Sequence, residues 1–149
     1  SGYYLNNSFD YYDLFGNVVQ ISNPNNSLIK SYVWSYQYQY PVVEAINCTR
    51  SQLESAFTTN GVNLNDFEKR SLLSNEDITN LLKINSTLPS SLMKIYTYKP
   101  LIGASTITSP NGVITFYDYD NLNRLYQISY GNTTLKKNLK TLQYKLSNY

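Results

Sequence analysis

Two aspartates stand close together in "GVITFYDYDNLNRLYQIS", the stretch from Gly112 to Ser129. Asp118 and Asp120 lie two apart, so on a strand both would project from one face, as paired glycosidase carboxylates would. Paired acids, a metal clamp and a structural hairpin are the roles open to them. Glycosidase acids usually come from different segments, and a second copy of the motif has Tyr11 where Asp118 would be. "DYDN" also lacks the regularly spaced oxygen ligands of a calcium loop. The chain contains no histidine, which excludes Ser-His-Asp and Cys-His catalysis and histidine zinc sites. The hairpin is the strongest of the three, and no catalytic, metal or cofactor residue is expected.

Cys48 is the single cysteine, so no internal disulfide is possible. It follows Asn47 near a helix start, where a thiol pKa can fall; a small packing residue is its plainer role. Asn47-Cys48-Thr49 and Asn85-Ser86-Thr87 match glycosylation sequons, as chance allows in so asparagine-rich a chain. Exposed aromatics beside amides in "WSYQYQY", Trp34, Tyr36 and Tyr38, are candidates for stacking on a carbohydrate. Packing across strands is the alternative.

The elements that would carry these residues are legible from pattern. Charged residues are 15% of the 149, and 16 tyrosines stand against 5 phenylalanines and one tryptophan. Tyrosine and β-branched residues favour half-buried pleated surfaces, which predicts a mainly β chain. The first β block, within 1–47, holds "FDYYDLFGNVVQIS" and "SLIKSYVWSYQYQYPVVEAI", parted by the turn chemistry of "NPNN". "YVWSYQYQY", Tyr32 to Tyr40, alternates at period two and predicts one half-buried strand.

Residues 48–91 change period and predict a small helical insertion of two or three helices. Thr49 and Gln52 form a capping box, after which Leu53, Ala56 and Phe57 share a face. A second helix starts at Ser74, with acids in its first turn and Ile78, Leu81, Leu82 and Ile84 as its apolar stripe. One shorter helix is expected within "NGVNLNDFEKRSLLS". Residues 92–149 read as a second β block, with reversals at "SPNG", "DNLN" and "YGN".

A repeat runs through both β blocks. "YDLFGNVVQIS" from Tyr12 and "YDNLNRLYQIS" from Tyr119 share Tyr-Asp, a Gly or Asn four residues after the tyrosine, and Gln-Ile-Ser. "YTYKPLIGASTI", from Tyr96, is a degenerate third copy. Repeated strand–turn–strand units predict stacked hairpins, each unable to bury its face alone.

Gly112, Tyr117, Tyr119, Asp120, Asn123, Arg124 and Leu125 fit G-x-x-x-x-Y-x-Y-D-x-x-[GN]-R-L. That pattern is the motif of the YD repeat, also called the Rhs repeat, and the chain resembles this family from about Phe9 to Tyr130. The earlier copy keeps Tyr12, Asp13, Gly16 and Val18, with Asn17 where arginine is usual. "YVWSYQYQYPVVEAIN", the helical insert and "YTYKPLIG" resemble a variant common in large YD-repeat proteins of Bacteroidetes bacteria.

The resemblance implies β-hairpins forming a twisted antiparallel sheet, which in toxin-bearing members closes as a shell around a C-terminal toxin. It implies a non-enzymatic segment of a large exported protein, secreted or at the cell surface, acting as scaffold or shell wall. Its partner would be the rest of a parent chain, or another protein joined by strand pairing. A cell-surface binding module for carbohydrate or protein is the alternative. Toxin cargo ranks third, because the family's toxins follow a proline- and aspartate-containing motif that is missing here. The start at Ser1 suggests a processed or excised piece.

The net charge of +2 implies no polyelectrolyte partner. Lys136, Lys137, Lys140 and Lys145 read as guards of an edge strand, not as a nucleic-acid stripe. No apolar run approaches the roughly 18 residues that span a bilayer.

Overall fold

The computed structural model describes residues 7–25 and 27–144. Four strands come first: β1 (Ser8–Tyr12), β2 (Val18–Asn23), β3 (Leu28–Ser35) and β4 (Tyr40–Ile46). Three helices follow, α1 (Arg50–Thr59), α2 (Leu64–Glu68) and α3 (Asn75–Ser86). The chain then returns to strands β5 (Leu92–Lys99), β6 (Gly103–Thr108), β7 (Ile114–Tyr119), β8 (Leu125–Gly131) and β9 (Lys136–Thr141). The strand order equals the chain order, β1 to β9, without a crossover. The architecture is mainly β, with antiparallel pairing and three helices. Asn26 of the "NPNN" turn and Lys145 lie outside the described residues.

Two compact units divide the chain, Ser1–Ile95 and Tyr96–Tyr149. In the first, the helices cover one face of the strands. Ser31, Val33 and Ser35 alternate inward along β3; Val43 and Ala45 on β4 face Ile95 and Met93 on β5. The helices add Leu53, Ala56, Phe57, Phe67, Leu81 and Ile84 to this core, with Phe57 edge-on to Phe67 at 5.4 Å. The two serines have short side chains that let the helix connections approach. Their hydroxyls also bond the carbonyls there, Ser31 Oγ to Cys48 O at 2.5 Å and Ser35 Oγ to Phe67 O at 2.8 Å.

Local chemistry starts the helices where the pattern predicts. Thr49 accepts from the Gln52 N–H while Gln52 Oε1 accepts from the Thr49 N–H, closing the capping box. Ser74 and Asp77 form a second box at α3. Asn63 caps α2 through the Asp66 N–H.

Two expectations are corrected. Leu82 is 43% exposed; the buried stripe of α3 runs through Asp77, Leu81 and Ile84, at spacings of four and three. Asp77 can occupy it because its carboxylate serves the Ser74 cap and pairs with Arg70 Nε at 3.4 Å.

The stretch Tyr32–Tyr40 is also not one strand. β3 ends at Ser35, and Tyr36, Gln37 and Tyr38 all take left-handed angles, φ 53°, 59° and 64°. Each such angle costs a non-glycine residue roughly 1–2 kcal/mol. Tertiary contacts offset it. Gln37 N–H donates to Arg70 O at 2.8 Å and Tyr38 N–H to Glu68 O at 3.3 Å. Tyr36 is buried edge-on against Tyr40.

The second unit differs in kind. It contains no helix among its described residues, and its described buried side chains are Thr97, Thr108 and Ser129. Ile107, Ile114, Phe116, Tyr117, Tyr119 and Ile128 are each only half-buried. A Thr97–Thr106 hydroxyl bond of 2.6 Å and the β7–β8 ladder hold the hairpins together. The reversals at "SPNG", "DNLN" and "YGN" all occur, closed by backbone bonds such as Ser109 N–H to Val113 O at 2.9 Å.

Candidate functional site

The repeated aspartates have matching geometry. Asp13 Oδ1 accepts from the N–H groups of Phe15 and Asn17, both at 2.8 Å. Asp120 Oδ1 accepts from Leu122 N–H at 2.8 Å and Arg124 N–H at 2.9 Å. Each carboxylate thus clasps the backbone two and four residues on, and closes a turn that a left-handed residue completes. That residue is Gly16 at φ 83° in one hairpin and Asn123 at φ 59° in the other.

The second oxygen takes the side chain at the motif's arginine position. Arg124 Nε and Nη2 both reach Asp120 Oδ2 at 2.8 Å. Asn17, its counterpart, donates to Asp13 Oδ2 and to Tyr38 O, each at 2.9 Å. Hydrogen bonding to Arg124 holds the Asp120 carboxyl below its ordinary 3.8. Asp118, in contrast, lies within β7 opposite Gln127. Each aspartate has its own place in the hairpin.

Other motif residues support the same unit. Gly112 takes φ 81° in the turn before β7, and Leu125 opens β8 opposite Tyr119. Tyr119 donates its hydroxyl to Ala104 O at 2.9 Å, and Tyr117 faces Ile128 across the ladder. Tyr12 pairs with Val18 as Tyr119 does with Leu125. The guanidinium of Arg124 also lies 4.5 Å from the Tyr144 ring centre.

A cleft of about 670 Å³ opens within the first unit, between the Asp13 hairpin and helices α1 and α2. Tyr11, Tyr12 and Phe15 form an aromatic wall, each more than half exposed. Tyr38 extends it by stacking on Phe15, with ring centres 4.1 Å apart. Of the three aromatics proposed for stacking, Tyr38 alone lines the cleft. Trp34 donates Nε1–H to Val18 O at 2.9 Å, and Tyr36 is 4% exposed.

Arg50 organises the polar side of the cleft. It donates from Nε to Glu54 at 2.7 Å, from Nη2 to Glu68 at 3.0 Å and from Nη1 to Tyr32 O at 2.8 Å. Its backbone N–H donates to Gln20 Oε1 at 2.8 Å. Burial raises Glu68 above its ordinary 4.5; Arg50 opposes the rise, and Asp13 and Glu54 add to it. The Arg50–Glu54 spacing of four is readable from the sequence. Glu68 carries no local sign of its role, since the fold alone brings it to Arg50. Cys48 is buried, and burial raises its thiol above the ordinary 9.0, so it is a packing residue.

No group of metal-binding side chains occurs among the described residues, and no described helix is long and apolar enough to cross a membrane. No protein-family model matches the chain, and no curated protein or solved structure is significantly similar to it.

Proposed function

We propose that this chain is a non-enzymatic wall segment of a larger, exported YD-repeat sheet, in which each hairpin gains its stability from its neighbours. The observation that carries the reading is the second unit, in which no described large apolar side chain is fully buried. Hairpins without a covered face are marginal alone and call for further strands or layers. The matching clasps of Asp13 and Asp120 support it, since both carboxylates are spent on fixing the turns of their hairpins.

β1 and β9 end the strand order. β9 carries Lys136, Lys137 and Lys140, which blunt pairing; β1 presents Phe9 and Tyr11 with no lysine. The β1 edge therefore meets a further strand, from a parent chain or a partner. The sequence places this edge from Tyr3 to Tyr12, and residues 3–6 of that stretch lie outside the described residues. Sedimentation velocity tests this. The isolated chain is expected to self-associate with rising concentration, and Phe9→Lys to make it monomeric. A wild-type chain that stays monomeric at roughly 100 μM, where weak association is readily seen, would remove this support. A cell-surface binding module would then be the better reading, and the cleft beside Arg50 is the feature that favours it.

A further inference from the structure

Beyond the wall reading, and independent of it, we propose that the cleft of the first unit binds a small organic cation, an ammonium group carried on an apolar skeleton. Its volume, about 670 Å³, falls within the roughly 300–1,000 Å³ of small-ligand sites. Two features of different kinds select the ligand.

The first is the wall. Tyr11, Tyr12 and Phe15 are 60%, 56% and 65% exposed, and large aromatic side chains gathered at a cavity mouth mark a surface that awaits a partner. Their ring faces carry negative quadrupole density and draw cations.

The second is the charge. Asp13, Glu54 and Glu68 line the cleft with Arg50, so three carboxylates face one guanidinium. Three of the five N–H donors of Arg50 are directed at Glu54, Glu68 and Tyr32 O, so its charge is already matched by two carboxylates before any anionic ligand arrives. A neutral sugar would use the rings and leave the excess negative charge unanswered. An ammonium on an apolar stem uses both.

The test is a titration of the full chain, followed through backbone amide NMR shifts at low salt. Benzylamine, benzyl alcohol and benzoate present one ring with three charges, and glucose serves as the neutral saccharide. Benzylamine is expected to shift the amides of Leu14, Phe15 and Ser51, and to bind about tenfold more tightly than benzyl alcohol. Glu54→Gln and Phe15→Ser, both at well-exposed side chains, are each expected to weaken it about threefold or more. Neither change removes a core contact, and both folds can be checked in the same spectra. Equal or tighter binding of benzyl alcohol, benzoate or glucose would overturn the proposal. So would unchanged benzylamine affinity in both variants, or no saturable shift at the cleft below about 10 mM. Tyr11 and Tyr12 lie on β1, so the titrations are run at one protein concentration, below that at which sedimentation shows association, and the proposal and the wall reading are then judged separately.

Discussion

Asp120 shows what one side chain does in this protein: it converts a flexible reversal into a fixed corner. The corner is sensitive to acid, and the sign follows from the direction of the shift. Asp120 is held below its ordinary 3.8 by hydrogen bonding to Arg124, and Asp10 likewise by Gln20, so both protonate less readily folded than unfolded. Their stabilisation is present above pH 3.8 and is lost as pH falls through the lower folded values. Glu68, raised above 4.5, works in the opposite sense at higher pH. Comparing wild type with Asp120→Asn cancels that contribution. Thermal melts from about pH 6 down to pH 2 should show the gap between them closing in acid. A gap independent of pH would contradict the clasp. The neighbouring Asn123 gives a second test, since its φ of 59° is left-handed. Asn123→Gly should be neutral or slightly stabilising and Asn123→Val should cost about 1–2 kcal/mol in chemical unfolding. Both lose the Lys99 bond to Asn123 Oδ1, so that bond does not enter their difference.

At the scale of elements, α3 separates two leucines that look alike in the sequence. Leu81 is fully buried and Leu82 is 43% exposed. Leu81→Ala should cost about 2–5 kcal/mol and Leu82→Ala less than about 1 kcal/mol, measured by urea unfolding. Comparable losses at both would mean that α3 is rotated from its described position. The sequence expectation placed both on one stripe because it counted apolar residues and passed over Asp77, which the Ser74 cap and Arg70 make tolerable inside. Helix starts at Thr49 and Ser74 were legible because capping is settled within four residues. The left-handed run Tyr36–Tyr38 was not. Its alternation fits a strand, and the carbonyls of Glu68 and Arg70, some thirty residues away, help to hold it in a turn. The cleft was half legible for the same reason: Arg50 and Glu54 are neighbours on a helix, while Glu68 arrives by folding.

The chain holds a unit with a core and a unit whose described residues fully bury no large apolar side chain. Residues up to Ile95 bury Val33, Val43, Phe57, Phe67 and Leu81 beneath the helices. Residues from Tyr96 onward present strands whose described large apolar groups all keep some contact with solvent. Amide protection follows the depth of such burial, because a segment opens at the cost of the contacts it breaks. Hydrogen exchange of the dilute, isolated chain, read by mass spectrometry, therefore tests the wall reading most directly. Slow exchange is expected across Val33–Val43 and Phe57, with exchange at least about a hundredfold faster in β1 and from β6 to β9. At concentrations where the chain associates, β1 should gain protection. Slow exchange throughout β1 and β6–β9 in the dilute monomer would contradict the account, because those strands would then be stable without any neighbour.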